Sequence, residues 1–317
     1  MKKFIKNLSI FLSILIVVSL LFGLLDIFAI GNQYSQGYTA AMIDKLDRLK
    51  SIDDPKIVII GDSNLAFGIN SKILEEALQM PVVNLGLHGG IGDAYYEALA
   101  KPYINEGDIV IIAPYTLTGD ETFPNKSLAM TMLEKNEDMW ESISNNDKLD
   151  LLKAYPYYCY SCVTKWVTFS GNKADDTSYS RDAFNEYGDI VKRPEAYDKS
   201  SQSLFGYEGV IMVPKYNQAF FDRVNEYNDY VTTRGATLLF AAYPVADCKY
   251  TPDDEVYDEL ENALRENLRC PIISEYESYL FPEDYFYDTV LHLTKEGAEA
   301  RTTQLVKDIE HYLNNKK

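Results

Sequence analysis

Hydrophobic and polar positions fall into successive regimes along this chain of 317 residues. From Leu8 to Ile30, "LSIFLSILIVVSLLFGLLDIFAI", almost every position is apolar. At about 1.5 Å per residue this run makes a helix of roughly 34 Å, enough to cross a hydrocarbon core of about 30 Å. Gln33 to Ser51 is an amphipathic connector with Met42, Ile43, Leu46 and Leu49 on one side. From Lys56 onward, short apolar runs alternate with amphipathic stretches. Strands are predicted at "KIVIIGD" (Lys56–Asp62), "PVVNLGL" (Pro81–Leu87), "DIVIIAPY" (Asp108–Tyr115), "ATLLFAAYPV" (Ala236–Val245) and "PIISEY" (Pro271–Tyr276). Helices are predicted at Ile69–Gln79 with Ser71 as its cap, Asp93–Asn105, Tyr216–Thr233, Asp253–Leu268 and Lys295–Leu313. "KIVIIGD" is a continuous apolar run, as expected of a strand covered on both faces. Such alternation predicts an α/β domain with a parallel sheet and right-handed crossovers.

Between Thr116 and about Lys215 the rhythm stops. Tyrosine and proline crowd together there, as in "AYPYYCYSC" (Ala154–Cys162). A structureless loop of that length does not suit a compact domain. The segment is therefore predicted to be an insertion with short helices, lying over one end of the sheet. Packing it onto the body is the common use of its tyrosines, and a binding surface the rarer one. The chain thus divides into a basic tip and membrane anchor (1–30), a connector (31–55) and a domain (56–317) that carries the insertion at about 116–215.

Charge orients the anchor. Lys2, Lys3 and Lys6 precede the apolar run, which keeps that end cytoplasmic and places the rest outside the cell membrane as a single-pass protein. Asp26 to Ala29 offers no small-residue cleavage site, so the segment reads as an uncleaved anchor rather than a signal peptide. Asp26 falls at the interface. The net charge is −18, and removing residues 1–30 leaves the remainder more acidic still. No basic patch larger than Lys192–Arg193 offsets this, which argues against nucleic acid as a partner.

Four cysteines are too few for a disulfide scaffold in a domain of this size. Cys159-x-x-Cys162 has the spacing of half a redox or metal site, but no second pair stands at zinc spacing. A local disulfide or two plain thiols is the expectation. Cys248 and Cys270 are predicted at opposite edges of the sheet, separated by a helix of roughly 22 Å. A disulfide between them is disfavoured, and Cys270 reads as a buried thiol.

The chemistry begins at "GDSN" (Gly61–Asn64), where the first strand stops. Gly, Asp and Asn there satisfy a turn on conformational grounds alone. Yet ligand crevices in open α/β sheets lie beyond the carboxyl ends of strands, where Ser63 falls. A serine nucleophile needs a base within reach, usually histidine. His311 lies late in the last helix. His88 sits in the glycine turn "NLGLHGG", and His292 precedes the last helix with Asp288 four residues before it. An acid so placed can hold the imidazole's tautomer and stabilise its charged form. The plainer alternative is a capping loop in which His292 only packs. No nucleotide-binding glycine loop or clustered metal-ligand motif is present, so neither cofactor nor metal is expected.

Taken together, "GDSN" after the first strand, a glycine turn after the second, and an Asp–His pair before the last helix resemble the SGNH (GDSL-type) hydrolase superfamily. The resemblance runs from about Lys56 to Tyr312, outside most of the insertion. It implies a three-layer, flavodoxin-like fold with a central parallel sheet. It also implies Ser63 as nucleophile, His292 as general base, Asp288 as its partner, and the backbone N–H groups of Ser63 and Gly86 as oxyanion donors. Two departures stand out. The family places two residues between Asp and His where this chain has three, which keeps Asp284 as an alternative acid. The family's third-strand asparagine is absent from "APYTLTGD", leaving Tyr115, Thr116 or His88 to substitute, with Asn64 a further accessory candidate.

The N-terminal anchor makes the pattern similar to one branch, the membrane-anchored proteins of teichoic-acid D-alanylation and of alginate and cell-surface polysaccharide O-acetylation. "FNEYGD" (Phe184–Asp189) is similar to uncharacterised members of that branch. The resemblance implies a membrane-bound O-acyltransferase as partner, a cell-surface polysaccharide or teichoic-acid-like polymer as acceptor, and acyl transfer or ester hydrolysis as the reaction.

Overall fold

The predicted apolar runs pair as a four-stranded parallel sheet in the computed structural model, which describes residues 2–30, 37–118, 123–133, 137–168, 178–193, 215–247 and 256–316. The strands are β1 (Ile57–Ile60), β2 (Val82–Asn84), β3 (Ile109–Ile112) and β4 (Thr237–Phe240), in the order β2-β1-β3-β4. Ile57 pairs with Val82 on one side and Ile109 on the other, and Ile109 pairs with Thr237. The all-apolar strands have the reason expected of them, because successive residues enter cores on opposite faces. Val58, Ile60, Val110, Leu238 and Phe240 join one cluster, and Ile57, Ile59, Val82, Ile111 and Leu239 join the other.

Helices cover both faces. Leu46 and Leu49 of α2 (Ala41–Ser51) pack in the first cluster. So do residues of two helices that follow α3 (Ser63–Gly68) and α4 (Ser71–Leu78), namely α5 (Asp93–Ala100) and, later in the chain, the helix at Gln218–Thr233. Leu74 of α4 and Leu305 and Ile309 of the last helix (Lys295–Asn315) fill the second cluster. The edge opposite β2 ends more loosely than predicted. Pro271–Tyr276 is not a strand but a single parallel bridge between Ile272 and Phe240.

Buried charge fixes the start of β1 and β3. Lys56 Nζ donates to Asp108 Oδ2 at 3.0 Å with both side chains fully buried. The backbone N–H of Lys56 and of Asn105 also donate to that carboxylate, at 3.0 and 2.8 Å.

The insertion departs from expectation. It holds α6 (Lys126–Leu133), α7 (Glu137–Glu141) and α8 (Asn145–Val167), and α8 is 23 residues long rather than short. Pro156 lies inside it. The missing N–H there costs one helical bond. Burial of Leu151, Tyr158, Cys159 and Cys162 on one face offsets that loss. Cys159 and Cys162, one turn apart, are therefore side chains of the core. Later elements are α9 (Gln218–Thr233), β5 (Val245–Ala246), α10 (Val256–Asn267), β6 (Leu280–Phe281) and α11 (Lys295–Asn315). β5 and β6 form a small second parallel sheet that no apolar pattern announced. Cys248 lies outside the described residues, and Cys270 is a buried thiol whose pKa burial pushes up to about 12. At the N-terminus, α1 (Lys2–Leu25) is the one described helix long and apolar enough to span a membrane, and none of it is buried in the body.

Candidate active site

Two crossovers diverge at β1. β2 lies on one side of it and β3 on the other, which opens a crevice beyond their carboxyl ends. Ser63 is the first residue of α3, immediately past that end of β1. Asp62 caps the helix, accepting from the Asn64 N–H at 2.8 Å and from Asn64 Nδ2 at 2.6 Å. The Asn64 side chain also donates to the Ala113 carbonyl at 3.0 Å, and it is wholly buried. Arg301 of α11, buried as well, donates to the Asn64 carbonyl at 2.7 Å, to Asn64 Oδ1 at 3.0 Å and to the Ala242 carbonyl at 3.2 Å. The serine turn is thus clamped from three strand ends. Asn64 spends its side chain on the clamp, which rules it out as an accessory donor in the crevice.

His292 comes to Ser63 from the far end of the chain. Its Nε2 lies 2.8 Å from Ser63 Oγ, and its Nδ1 lies 2.7 Å from Asp288 Oδ1. With Asp288 accepting from Nδ1–H, Nε2 is left to accept from the serine hydroxyl. The three-residue Asp–His spacing is accommodated by a tight turn. Thr289 Oγ1 accepts from the N–H groups of Leu291 and His292, and Tyr287 N–H donates to the His292 carbonyl at 2.7 Å. Asp284 is exposed in the turn Glu283–Tyr285 and bonds to neither histidine nor serine among the described residues. The imidazole is held flat on Phe67, with ring centres 4.1 Å apart and planes 8° from parallel. A capping loop in which His292 merely packs would not require this alignment with Ser63.

Tyr179, from the insertion, is a site residue that the sequence did not disclose. Its hydroxyl donates to Asp288 Oδ2 and lies 3.3 Å from His292 Nδ1. Burial raises the Asp288 carboxyl, but the bonds from His292 and Tyr179 outweigh it and hold the group below its usual value. Burial, and then the Asp288 bond, raise the Tyr179 hydroxyl, which keeps it a donor. Tyr179→Phe is expected to lower kcat/KM for ester cleavage by about tenfold, the worth of one bond to a charged group. The acid limb of the pH–rate profile should move to higher pH, since the carboxylate loses a stabilising donor. An unchanged profile would limit Tyr179 to packing.

The two N–H groups named as oxyanion donors differ in their hydrogen bonding. The Ser63 N–H has no hydrogen-bond partner among the described residues. The Gly86 N–H is already occupied, donating to Asn84 Oδ1 at 2.9 Å. Gly86 is glycine for a different reason, because a Cβ there would come within 2.9 Å of Leu65 and Asn84 and 2.8 Å of the Ala66 nitrogen. Asn84 belongs to a buried knot, donating to Asp189 Oδ1 at 2.9 Å while Asp189 also accepts from the Ser71 hydroxyl and N–H at 2.7 Å. Ser71 is therefore the first residue of α4 and a donor to Asp189, and Asn70 takes the cap position assigned to it. This knot gives the "FNEYGD" segment its role. Lys45 Nζ donates to the Gly188 and Asn84 carbonyls, and Gly188 (φ +96°) sits where a Cβ would strike the Asn84 carbonyl.

Gly89 lines a cleft beside Asp62, the residue before Ser63. The cleft, of about 300 Å³, is lined by Asp62, Gly89, Gly92, Asp93, Thr116 and Thr118, among others. The Gly89 N–H has no hydrogen-bond partner among the described residues, and a Cβ there would lie 3.7 Å from Asp62. Thr116 is exposed in this cleft, while the half-buried Tyr115 ring packs edge-on against Tyr243. His88 Nδ1 accepts from Gly90 N–H at 2.9 Å, and burial lowers its pKa, so it serves the loop as a neutral ring. The cleft is acidic in composition but reluctant to ionise. Burial raises the Asp62 carboxyl, and burial with the nearby Asp62 and Glu97 raises Asp93 to about 7 against the pull of Arg223.

Among the described residues, no group of three or more His, Cys, Asp or Glu side chains could hold a metal ion. Comparison with family models and with curated proteins finds no match. The functional reading therefore rests on the site's own geometry.

Proposed function

We propose that this chain is a membrane-anchored serine acyltransferase or esterase of SGNH type, with a flavodoxin-like three-layer domain outside the membrane. The observation that carries the reading is the unbroken line from Ser63 Oγ to His292 Nε2, and from Nδ1 to Asp288, at 2.8 and 2.7 Å. The strand order β2-β1-β3-β4 supports the fold assignment. Ser63 Oγ attacks an ester carbonyl as His292 Nε2 takes its proton, with Asp288 stabilising the resulting imidazolium. The tetrahedral intermediate then collapses, and the departing alcohol takes the proton from Nε2–H. An acceptor hydroxyl next gives its proton to Nε2, attacks the acyl-serine and releases Ser63, which recovers a proton from His292.

The N–H groups of Ser63 and Gly89 are the oxyanion donors in this scheme. Gly89→Pro tests the second of them cleanly. His88 is extended (φ −151°, ψ 129°), as a residue before proline must be, and Gly89 opens a short helical turn, where proline is tolerated. The variant is expected to lose roughly 10²–10³ in kcat, as for one oxyanion donor. Gly89→Ala, which keeps the N–H, should stay close to wild type.

Sugar or polyol hydroxyls of a cell-surface polysaccharide or teichoic-acid-like polymer are the proposed acceptors. A membrane-bound O-acyltransferase is the proposed acyl source, since the anchor would hold the site beside such a partner. Water as acceptor makes the same machinery a simple esterase. The occupied Gly86 N–H and the missing third-strand asparagine favour one rival, an inactive scaffold that binds envelope polymer. A covalent fluorophosphonate adduct on Ser63 of the full chain is the expected outcome. A chain that stays unlabelled while folded would favour the scaffold.

A further inference from the structure

α8 is apolar on two faces, and the body of the protein accounts for only one. Leu149, Leu152, Tyr157, Tyr160 and Val167 face outward, all exposed, with Tyr157 at 70% and Tyr160 at 68%. At about 100° per residue these five side chains fall within an arc of roughly 140° on the helix. Trp166, also exposed, lies about 40° outside that arc, near the end of the helix. A second, exposed apolar face on a helix that already packs into the core marks a further contact surface.

Its location supplies the partner. α8 packs against residues Asp26–Ile30, the turn through which α1 enters the domain. Ala29 and Ile30 are buried in the body and Leu25 packs partly against it, while α1 before Leu25 is exposed. α8 therefore lies at the level where the anchor leaves the bilayer. Its outer face has the composition of an interfacial belt, in which tyrosine and tryptophan sit at headgroup depth. Lys148, Lys153 and Lys165 outnumber Asp147 and Asp150, so this helix is net basic in a chain of charge −18. Long lysine stems can reach headgroups while their alkyl parts stay on apolar surface.

We propose that the outward face of α8 lies in the headgroup–acyl boundary of the outer leaflet. The bilayer then holds the domain at two places, and the second contact fixes its tilt about the anchor and so the height of the Ser63 cleft. The proposal rests on reading α1 as a membrane anchor.

Tryptophan fluorescence of the full chain in phosphatidylcholine vesicles, with acyl chains brominated near the headgroup, tests it directly. The chain has two tryptophans, and the difference between wild type and Trp166→Phe isolates Trp166 from Trp140. Brominated lipid is expected to remove roughly half or more of the Trp166 emission, as for a ring held at the interface. Leu152→Glu with Tyr160→Glu, both at exposed positions, should restore it. Vesicle flotation separates the two readings. A chain that floats but whose Trp166 is untouched by bromine and open to aqueous acrylamide overturns the docking. A chain that does not float removes the anchor, and the docking with it.

Discussion

Ser63→Ala and His292→Ala, each made in the full chain, are expected to lower acyl release from p-nitrophenyl acetate by roughly 10⁴-fold or more. The magnitude follows from the geometry. Among the described residues Ser63 Oγ has one base within reach, His292 Nε2 at 2.8 Å, and His88, in the glycine turn, uses its Nδ1 to accept from Gly90. The serine and histidine act as one unit, so the double variant should be little worse than either single one. Asp288→Asn should cost less than either, because Ser63 and His292 remain in contact. The readout is kcat/KM with each variant's fold checked by circular dichroism. Ser63→Ala retaining wild-type turnover would sink the nucleophile assignment, while retained turnover in His292→Ala alone would shift the base elsewhere.

The second large effect is on stability. Lys56→Met is expected to destabilise the fold by about 3–5 kcal/mol, because it strands a buried carboxylate without its counter-charge. Asp108 would keep the N–H bonds from Lys56 and Asn105, but both side chains of the ion pair are wholly enclosed at the start of β1 and β3. Replacing the two together, as Lys56→Met with Asp108→Leu, should cost clearly less, since the desolvation penalty of both charges disappears. Urea unfolding of the wild type, Lys56→Met, Asp108→Leu and the double variant measures the cycle. Equal losses for Lys56→Met and the double variant would mean that the stranded carboxylate carries no penalty of its own. The pair lies at the amino end of the strands and Ser63 at the carboxyl end, so any folded fraction should retain normal kcat.

Much of the architecture was readable because it depends on local chemistry. Apolar runs such as "KIVII" and "DIVII" can only be satisfied by cover on both faces, and they became β1 and β3. Ser63 and the Asp288–His292 pair stood out because their residue types and their places at element ends are sequence properties. What misled was local pattern overruled by tertiary packing. The insertion around "AYPYYCYSC" was expected to hold only short helices, yet Tyr158, Cys159 and Cys162 find a core, and α8 runs through Pro156. Ser71 looked like a cap and instead answers a carboxylate 118 residues away.

The sequence by itself determined the apolar N-terminal segment, the parallel α/β body and the three residues that meet at the crevice. Each follows from periodicity, charge or residue type within short windows. Only the tertiary structure decided which N–H groups of the glycine turn carry a hydrogen bond among the described residues. Gly86 and Gly89 are three residues apart in one turn, but Asn84 occupies the first and leaves the second at the cleft. The same holds for Tyr179 on Asp288 and Arg301 on Asn64, which meet across 109 and 237 residues. Hydrogen-bond partners at that separation are chosen by how the elements pack, and packing leaves no signature in the local order of residues.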